Sequence, residues 1–119
     1  MVGLDSDQYS DKTDSNRKKK QRGEIVIVSE TDGGYFNTQE PVELEDPLLR
    51  RCTGVTKRNS RTTVVWNPWV QKAHSLRDLA DDEWMQMICI ETSNVTDFVV
   101  ASAPGEHHTI GANFRVADS

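Results

Sequence analysis

The chain has 119 residues, 28% of them charged and 35% hydrophobic, with a formal net charge of −5. That length fits one domain at most, and the acidic balance argues against a dedicated nucleic-acid binder, whose affinity rests on a basic face that neutralises phosphates. No run approaches the roughly 20 apolar residues of a membrane span, and Met1 to Lys12 lacks the apolar core of a secretory signal, so a cytoplasmic protein is expected.

The one basic run, Arg17-Lys18-Lys19-Lys20-Gln21-Arg22, lies between polar Asp14-Ser15-Asn16 and Gly23. It reads as a solvated hairpin loop in preference to a nucleic-acid patch. Gly23 opens the β-branched run Glu24 to Ser29, a predicted strand, followed by the turn chemistry of Asp32-Gly33-Gly34. Pro41 to Glu45 alternates apolar and acidic residues before Asp46-Pro47 stops it, which predicts a second strand with one wet face. Cys52 to Lys57 is a weaker, polar strand. Thr62 to Trp66 has the β-branched and aromatic content of a buried strand and ends at Asn67-Pro68.

Asn67-Pro68 is a helix start, because the Asn side chain can accept from an orphan backbone N–H and proline at the first position loses no needed donor. Trp69, Ala73, Leu76 and Ala80 then recur at helical spacing, which predicts one short amphipathic helix from Pro68 to about Ala80. After Asp81-Asp82-Glu83, the stretch Met85 to Thr92 alternates. Met85, Met87, Cys89 and Glu91 share one face, and Gln86, Ile88, Ile90 and Thr92 the other, as in a central strand. Phe98-Val99-Val100 extends the β pattern, Pro104-Gly105 makes a turn, and His108 to Val116 reads as the last strand.

The expectation is a mainly β fold with one short helix. A sandwich built from these strands alone would be thin, leaving edges and an apolar face unsatisfied. Among candidate chemical groups, Glu91 follows Ile88-Cys89-Ile90 and precedes small polar residues, so a carboxylate is expected at the end of a buried strand, where a partly desolvated acid can serve as a general base. A glutamate held by a partner at a sheet rim is the alternative. Asp32 alone reads as a turn aspartate. His74 is expected on the solvent side of the helix and His107-His108 at the start of a strand, with no third ligand to make a metal site. Cys52 and Cys89 belong to no metal-spaced cluster and read as buried thiols. Asn94-Val95-Thr96 matches a glycosylation sequon, without a secretory signal to give it meaning.

At Val64-Val65-Trp66-Asn67-Pro68-Trp69-Val70-Gln71-Lys72-Ala73 the sequence resembles the hexose-6-phosphate mutarotases (glucose-6-phosphate 1-epimerases) of the galactose-mutarotase-like superfamily. The resemblance continues through Asp78-Leu79-Ala80-Asp81-Asp82-Glu83, Met87-Ile88-Cys89-Ile90-Glu91 and Ala103-Pro104-Gly105-Glu106. Earlier, Val2-Gly3-Leu4, Tyr9 and Asp11-Lys12, then Glu30-Thr31-Asp32 with Tyr35, are similar to two further family elements. The resemblance implies that residues 1–119 form a single partial domain, the C-terminal part of an antiparallel β-supersandwich.

It further implies a sugar-phosphate isomerase that interconverts the α and β anomers of hexose 6-phosphates without metal or organic cofactor. Glu91 matches the family's catalytic base, which takes the anomeric hydroxyl proton, and Asp32 matches the acid that hydrogen-bonds sugar hydroxyls. The family's histidine acid and phosphate-holding arginines belong to its N-terminal half. None of His74, His107 and His108 stands in the matching position, and Gly33 stands where an arginine usually follows the aspartate. The isolated chain is therefore expected to be inactive. A non-catalytic β-sandwich module that binds carbohydrate or a protein partner is the competing expectation.

Overall fold

The structure is a computed structural model that describes residues 1–119. Its strands are β1 (Gln8–Asp11), β2 (Arg17–Lys20), β3 (Thr31–Phe36), β4 (Val42–Asp46), β5 (Arg51–Arg58), β6 (Thr62–Asn67), β7 (Cys89–Ser93) and β8 (Gly111–Asp118), and its one α-helix is α1 (Trp69–Ser75). All pairings are antiparallel. They give a five-stranded sheet in the order β2-β1-β3-β6-β7 and a three-stranded sheet in the order β4-β5-β8. No helix is long and apolar enough to cross a membrane.

β6 organises the larger sheet because Thr62-Thr63-Val64-Val65 puts β-branched side chains on both faces, and all four are buried between β3 and β7. Alternation then sorts the faces. Tyr9, Tyr35 and Val65 point inward with Ile90, while Gly34, Val64 and Glu91 form a row on the outer face. The inner face packs with Val42 of the smaller sheet, and Met1 and Leu4 lie between, Leu4 being 1% exposed. This N-terminal arm is tied on both sides. Val2 exchanges two backbone hydrogen bonds with Glu43, and the Ile25 N–H donates to the Met1 carbonyl at 2.9 Å.

Several sequence expectations shift. The basic run is not a loop: Arg17–Lys20 is the edge strand β2, and Lys19 is held by Asp11 at 2.6 Å and Asp14 at 3.0 Å. Glu24 to Ser29 forms no strand, though Ile25 and Ile27 still pack on the core, because its one pair of backbone bonds goes to Met1 and no ladder continues. Asp32-Gly33-Gly34 is not a turn but the middle of β3. A Cβ on Gly33 would meet the Tyr35 and Tyr9 rings at 3.1 and 3.3 Å, and those rings stack with centroids 4.7 Å apart, so the glycine here makes room for aromatics.

The helix is shorter than its periodicity suggested, ending at Ser75, where the chain turns extended at Leu76. Asn67 does accept the Trp69 N–H, at 2.9 Å, but the helix starts one residue later than expected, and Trp69 itself adopts φ 58°. That conformation is costly for a bulky residue. It is held by the Asn67 bond and by the Trp84 ring, 4.4 Å away between centroids. Met85 belongs to a 3-10 turn (Glu83–Gln86), and the strand that follows is the edge of its sheet, not its centre. Phe98 closes another 3-10 turn (Thr96–Phe98) and is not in a strand.

Candidate functional site

The outer face of the five-stranded sheet carries the two carboxylates singled out in the sequence. Asp32 of β3 lies opposite Trp66 of β6, which lies opposite Cys89 of β7; one pleat along, Gly34, Val64 and Glu91 form the next row. Residues directly opposite share a face, and so do alternate residues of a strand, so Asp32, Trp66, Cys89 and Glu91 all stand on one side. With strands about 4.8 Å apart and residues about 3.4 Å apart along them, the Asp32 and Glu91 backbones are separated by roughly 12 Å. Trp66, half-buried, lies between them.

The environments of the two acids differ. The Asp32 side chain is 15% exposed, with Lys12 Nζ at 3.8 Å from its Oδ1. It borders a cleft of 360 Å³ whose walls include Glu30 and also Tyr9, Asp11, Gly33 and Tyr35 of the inward-facing side, but not Trp66. Glu91 is the third of five residues in β7, not its last, and it is exposed, so the desolvation expected from its apolar neighbours does not occur on this face. It does not line the Asp32 cleft. Its charge is felt next door: burial, and then Glu91, pushes the Cys89 thiol above its ordinary range. Cys89 and Cys52 are free and half-buried.

The histidines stand apart from this face. His74 Nδ1 pairs with Asp81 Oδ1 at 2.9 Å on the exposed side of α1, and His107 and His108 are exposed in the segment before β8. No three His, Cys, Asp or Glu side chains gather as metal ligands.

Two polar centres escaped the sequence reading. Lys57 of β5 donates from Nζ to Thr38 Oγ1 at 2.6 Å, to the Thr62 carbonyl at 2.8 Å and to Thr63 Oγ1 at 2.9 Å. Burial lowers its pKa from 10.5 to about 8, opposed by the charge of Asp7. It lines a cleft of 550 Å³, whose walls include Arg61, Asn94, Phe98 and His108 and which lies at the opposite end of β6 from Asp32. The second is Tyr35, whose hydroxyl donates to Gln21 Oε1 at 2.9 Å and is pushed up by burial first, then by Tyr9, Asp11 and Asp7. Neither carries a local sequence signal. Lys57 reads as one more lysine of a polar strand until β6 and the Thr38 loop close around it.

Comparison with known proteins bears on this arrangement. The family model described as aldose 1-epimerase matches residues 3–115. A protein of Cenchrus ciliaris named "Putative glucose-6-phosphate 1-epimerase" is 31% identical over 107 residues, which cover 89% of this chain and 32% of that protein. The chain thus spans about a third of the length of the curated relative it matches.

Proposed function

Because the chain belongs to the aldose 1-epimerase family, we propose that it contributes one wall of a sugar-isomerase site that interconverts the anomers of a hexose 6-phosphate. The observation that carries this reading is the shared outer face of Asp32, Trp66 and Glu91. Two carboxylates flanking an indole suit a pyranose, whose C–H face can lie on the ring while hydroxyls reach an acid at either end. The name printed for the Cenchrus ciliaris relative supports the 6-phosphate.

In this reading Glu91 takes the proton from the anomeric O1 hydroxyl as an acid protonates the ring oxygen. The C1–O5 bond breaks, the aldehyde turns about C1–C2, and reclosure from the other side gives the second anomer. Asp32 accepts from sugar hydroxyls and fixes orientation, steadied by Lys12. The acid comes from outside these residues, since His74, His107 and His108 lie away from the face. Charge-assisted donors for the phosphate dianion are also needed, and the cation nearest Asp32 is already engaged by it.

The test is anomer exchange of glucose 6-phosphate followed by saturation-transfer NMR. The 119-residue chain alone should leave the buffer rate unchanged. Joined to the remaining two-thirds of a family domain it should accelerate exchange, and Glu91→Gln should then lose a factor of about 10² to 10⁴, the usual worth of a general base. Full activity in the Gln variant would remove Glu91 from the mechanism, and robust exchange by the chain alone would show that no outside acid is required.

A further inference from the structure

The cleft beside Lys57 holds two cations without counter-ions. Lys57 and Arg61 both line it, and neither pairs with a carboxylate. The Lys57 ammonium gives its N–H donors to uncharged oxygens, those of Thr38, Thr62 and Thr63, so its charge is held in place but not neutralised. A half-buried cation in that state favours an anion nearby.

The walls are fixed in advance. Arg61 lays its guanidinium over the Phe98 ring, 4.5 Å from the centroid, and Nη2 donates to Asn37 Oδ1 at 2.9 Å, which leaves its other N–H donors unbonded. The Arg61 backbone N–H donates to Asn94 Oδ1 at 2.8 Å, while Asn94 Nδ2 donates to the Asn59 carbonyl at 3.0 Å. Asn59 in turn donates from Nδ2 to the Thr109 carbonyl at 3.0 Å, which anchors the chain next to His108. Asp97 is the one carboxylate on the wall, and it is exposed.

We propose that this cleft binds a small organic oxyanion, with Arg61 as its direct ligand and Lys57 as a fixed charge beneath it. A planar guanidinium with free donors suits a carboxylate or a tetrahedral oxyanion group, and 550 Å³ leaves room for the body that carries it. The cleft shares no residue with the face of Asp32, Trp66 and Glu91, so its ligand is independent of the sugar reaction.

Occupancy should be felt at Lys57. Burial holds its pKa down at about 8, and Asp7 pulls the other way. An anion above it favours the charged form, so the complex keeps a proton that the free chain begins to lose above about 8. Affinity should therefore fall as pH rises through that value. The other charged or titratable groups around the cleft are Arg61, Asp97 and His108, and residues of these types ordinarily do not titrate in that window.

The experiment titrates the 119-residue chain at constant ionic strength with sulfate in one arm and succinate in the other, both fully ionised from about pH 7 to about pH 10. Calorimetry gives the affinity at each pH, and amide shifts near neutral pH locate the ligand. The amides of Ser60, Arg61 and Asn94 should shift saturably. Arg61→Gln should weaken binding at least about tenfold, Asp97→Asn should tighten it, and Lys57→Met should bind weakly with no dependence on pH. Tighter binding of sulfate marks a phosphate or sulfate ester as the ligand class, and tighter binding of succinate a carboxylic acid. Arg61 is exposed, so its replacement leaves folding intact and decides the matter even where Lys57→Met does not fold. Three results would overturn the proposal: no saturable binding of either anion, binding undisturbed by Arg61→Gln, or a wild-type affinity that is flat across the pH range.

Discussion

At the scale of single residues, Asn67 does more than its place before a proline suggests. The dipeptide Asn67-Pro68 points to a cap, and loss of a cap costs about 1 kcal/mol. In the structure Asn67 is 3% exposed, and besides accepting the Trp69 N–H it donates from Nδ2 to the carbonyls of Trp84 at 2.9 Å and Met87 at 2.8 Å. It pins the end of β6 to the segment that leads into β7. Asn67→Ala would strand both carbonyls, so the expected loss is about 2–3 kcal/mol by urea denaturation, with a loss near 1 kcal/mol indicating that water replaces the amide. Lys57 offers a second test at this scale. With a pKa of about 8 in the folded chain against an ordinary 10.5, the unfolded chain holds a proton between those values that the folded chain has released. Stability contributed by this site therefore rises with pH from about 8 to 10.5, and below 8 the cost of burying the charge is felt in full. The stability difference between wild type and Lys57→Met should rise across that window, by on the order of 1–2 kcal/mol once partial exposure is allowed for. A difference that is flat with pH would mean that the ammonium is well solvated.

Among the elements, those legible in the sequence are the ones whose local pattern and tertiary role agree. Thr62 to Trp66 reads as a buried strand and is one, because β-branched residues on both faces suit a strand with neighbours on both sides. Asp32-Gly33-Gly34 misleads for the opposite reason. Two glycines after an aspartate signal a turn locally, whereas here Tyr9 and Tyr35 claim the space over Gly33 and Val95 lies 3.8 Å from where a Gly34 side chain would begin. Only the pairing partners reveal this. The resemblance names Asp32 and Glu91 and implies that they meet at one concavity; the register through β6 puts them on one face, but Glu91 does not line the cleft beside Asp32. Gly33→Ala should crowd the tyrosine stack, whose rings sit within the core and cannot swing out freely. Against a small gain from a stiffer unfolded chain, the overpacking should leave a net loss of about 1 kcal/mol, measured by thermal unfolding. A neutral or stabilising result would show the stack to be adjustable and would make Gly33 an ordinary strand glycine.

For the whole molecule, the thinness expected from the sequence becomes a specific architecture. Only 16 of 119 residues are buried, and the core cluster that joins the two sheets is Met1, Leu4, Tyr35, Val42 and Val65. The radius of gyration is 15.2 Å, against roughly 13.5 Å for a close-packed domain of this length. The Met1–Leu4 arm is one link between the sheets, bridging β4 through Val2 and Glu43 and the 25–27 segment through Met1, and Lys57 of β5 is another, bonded to Thr62 and Thr63 of β6. Two truncations should separate this joint from the open face. Leu4→Ala removes a side chain that is 1% exposed and belongs to the core cluster joining the sheets, so it should cost about 3 kcal/mol. That is a large part of the ~5–15 kcal/mol that holds an ordinary domain. Val116→Ala removes a comparable apolar group from β8, where 62% of the residue already meets water, and it should change stability by less than about 0.5 kcal/mol. Urea midpoints for the two variants decide the matter. Similar losses for both would mean that β8 packs as tightly as the arm, whereas a large loss for Leu4 alone would show that the arm is packed into the joint and the β8 face is not.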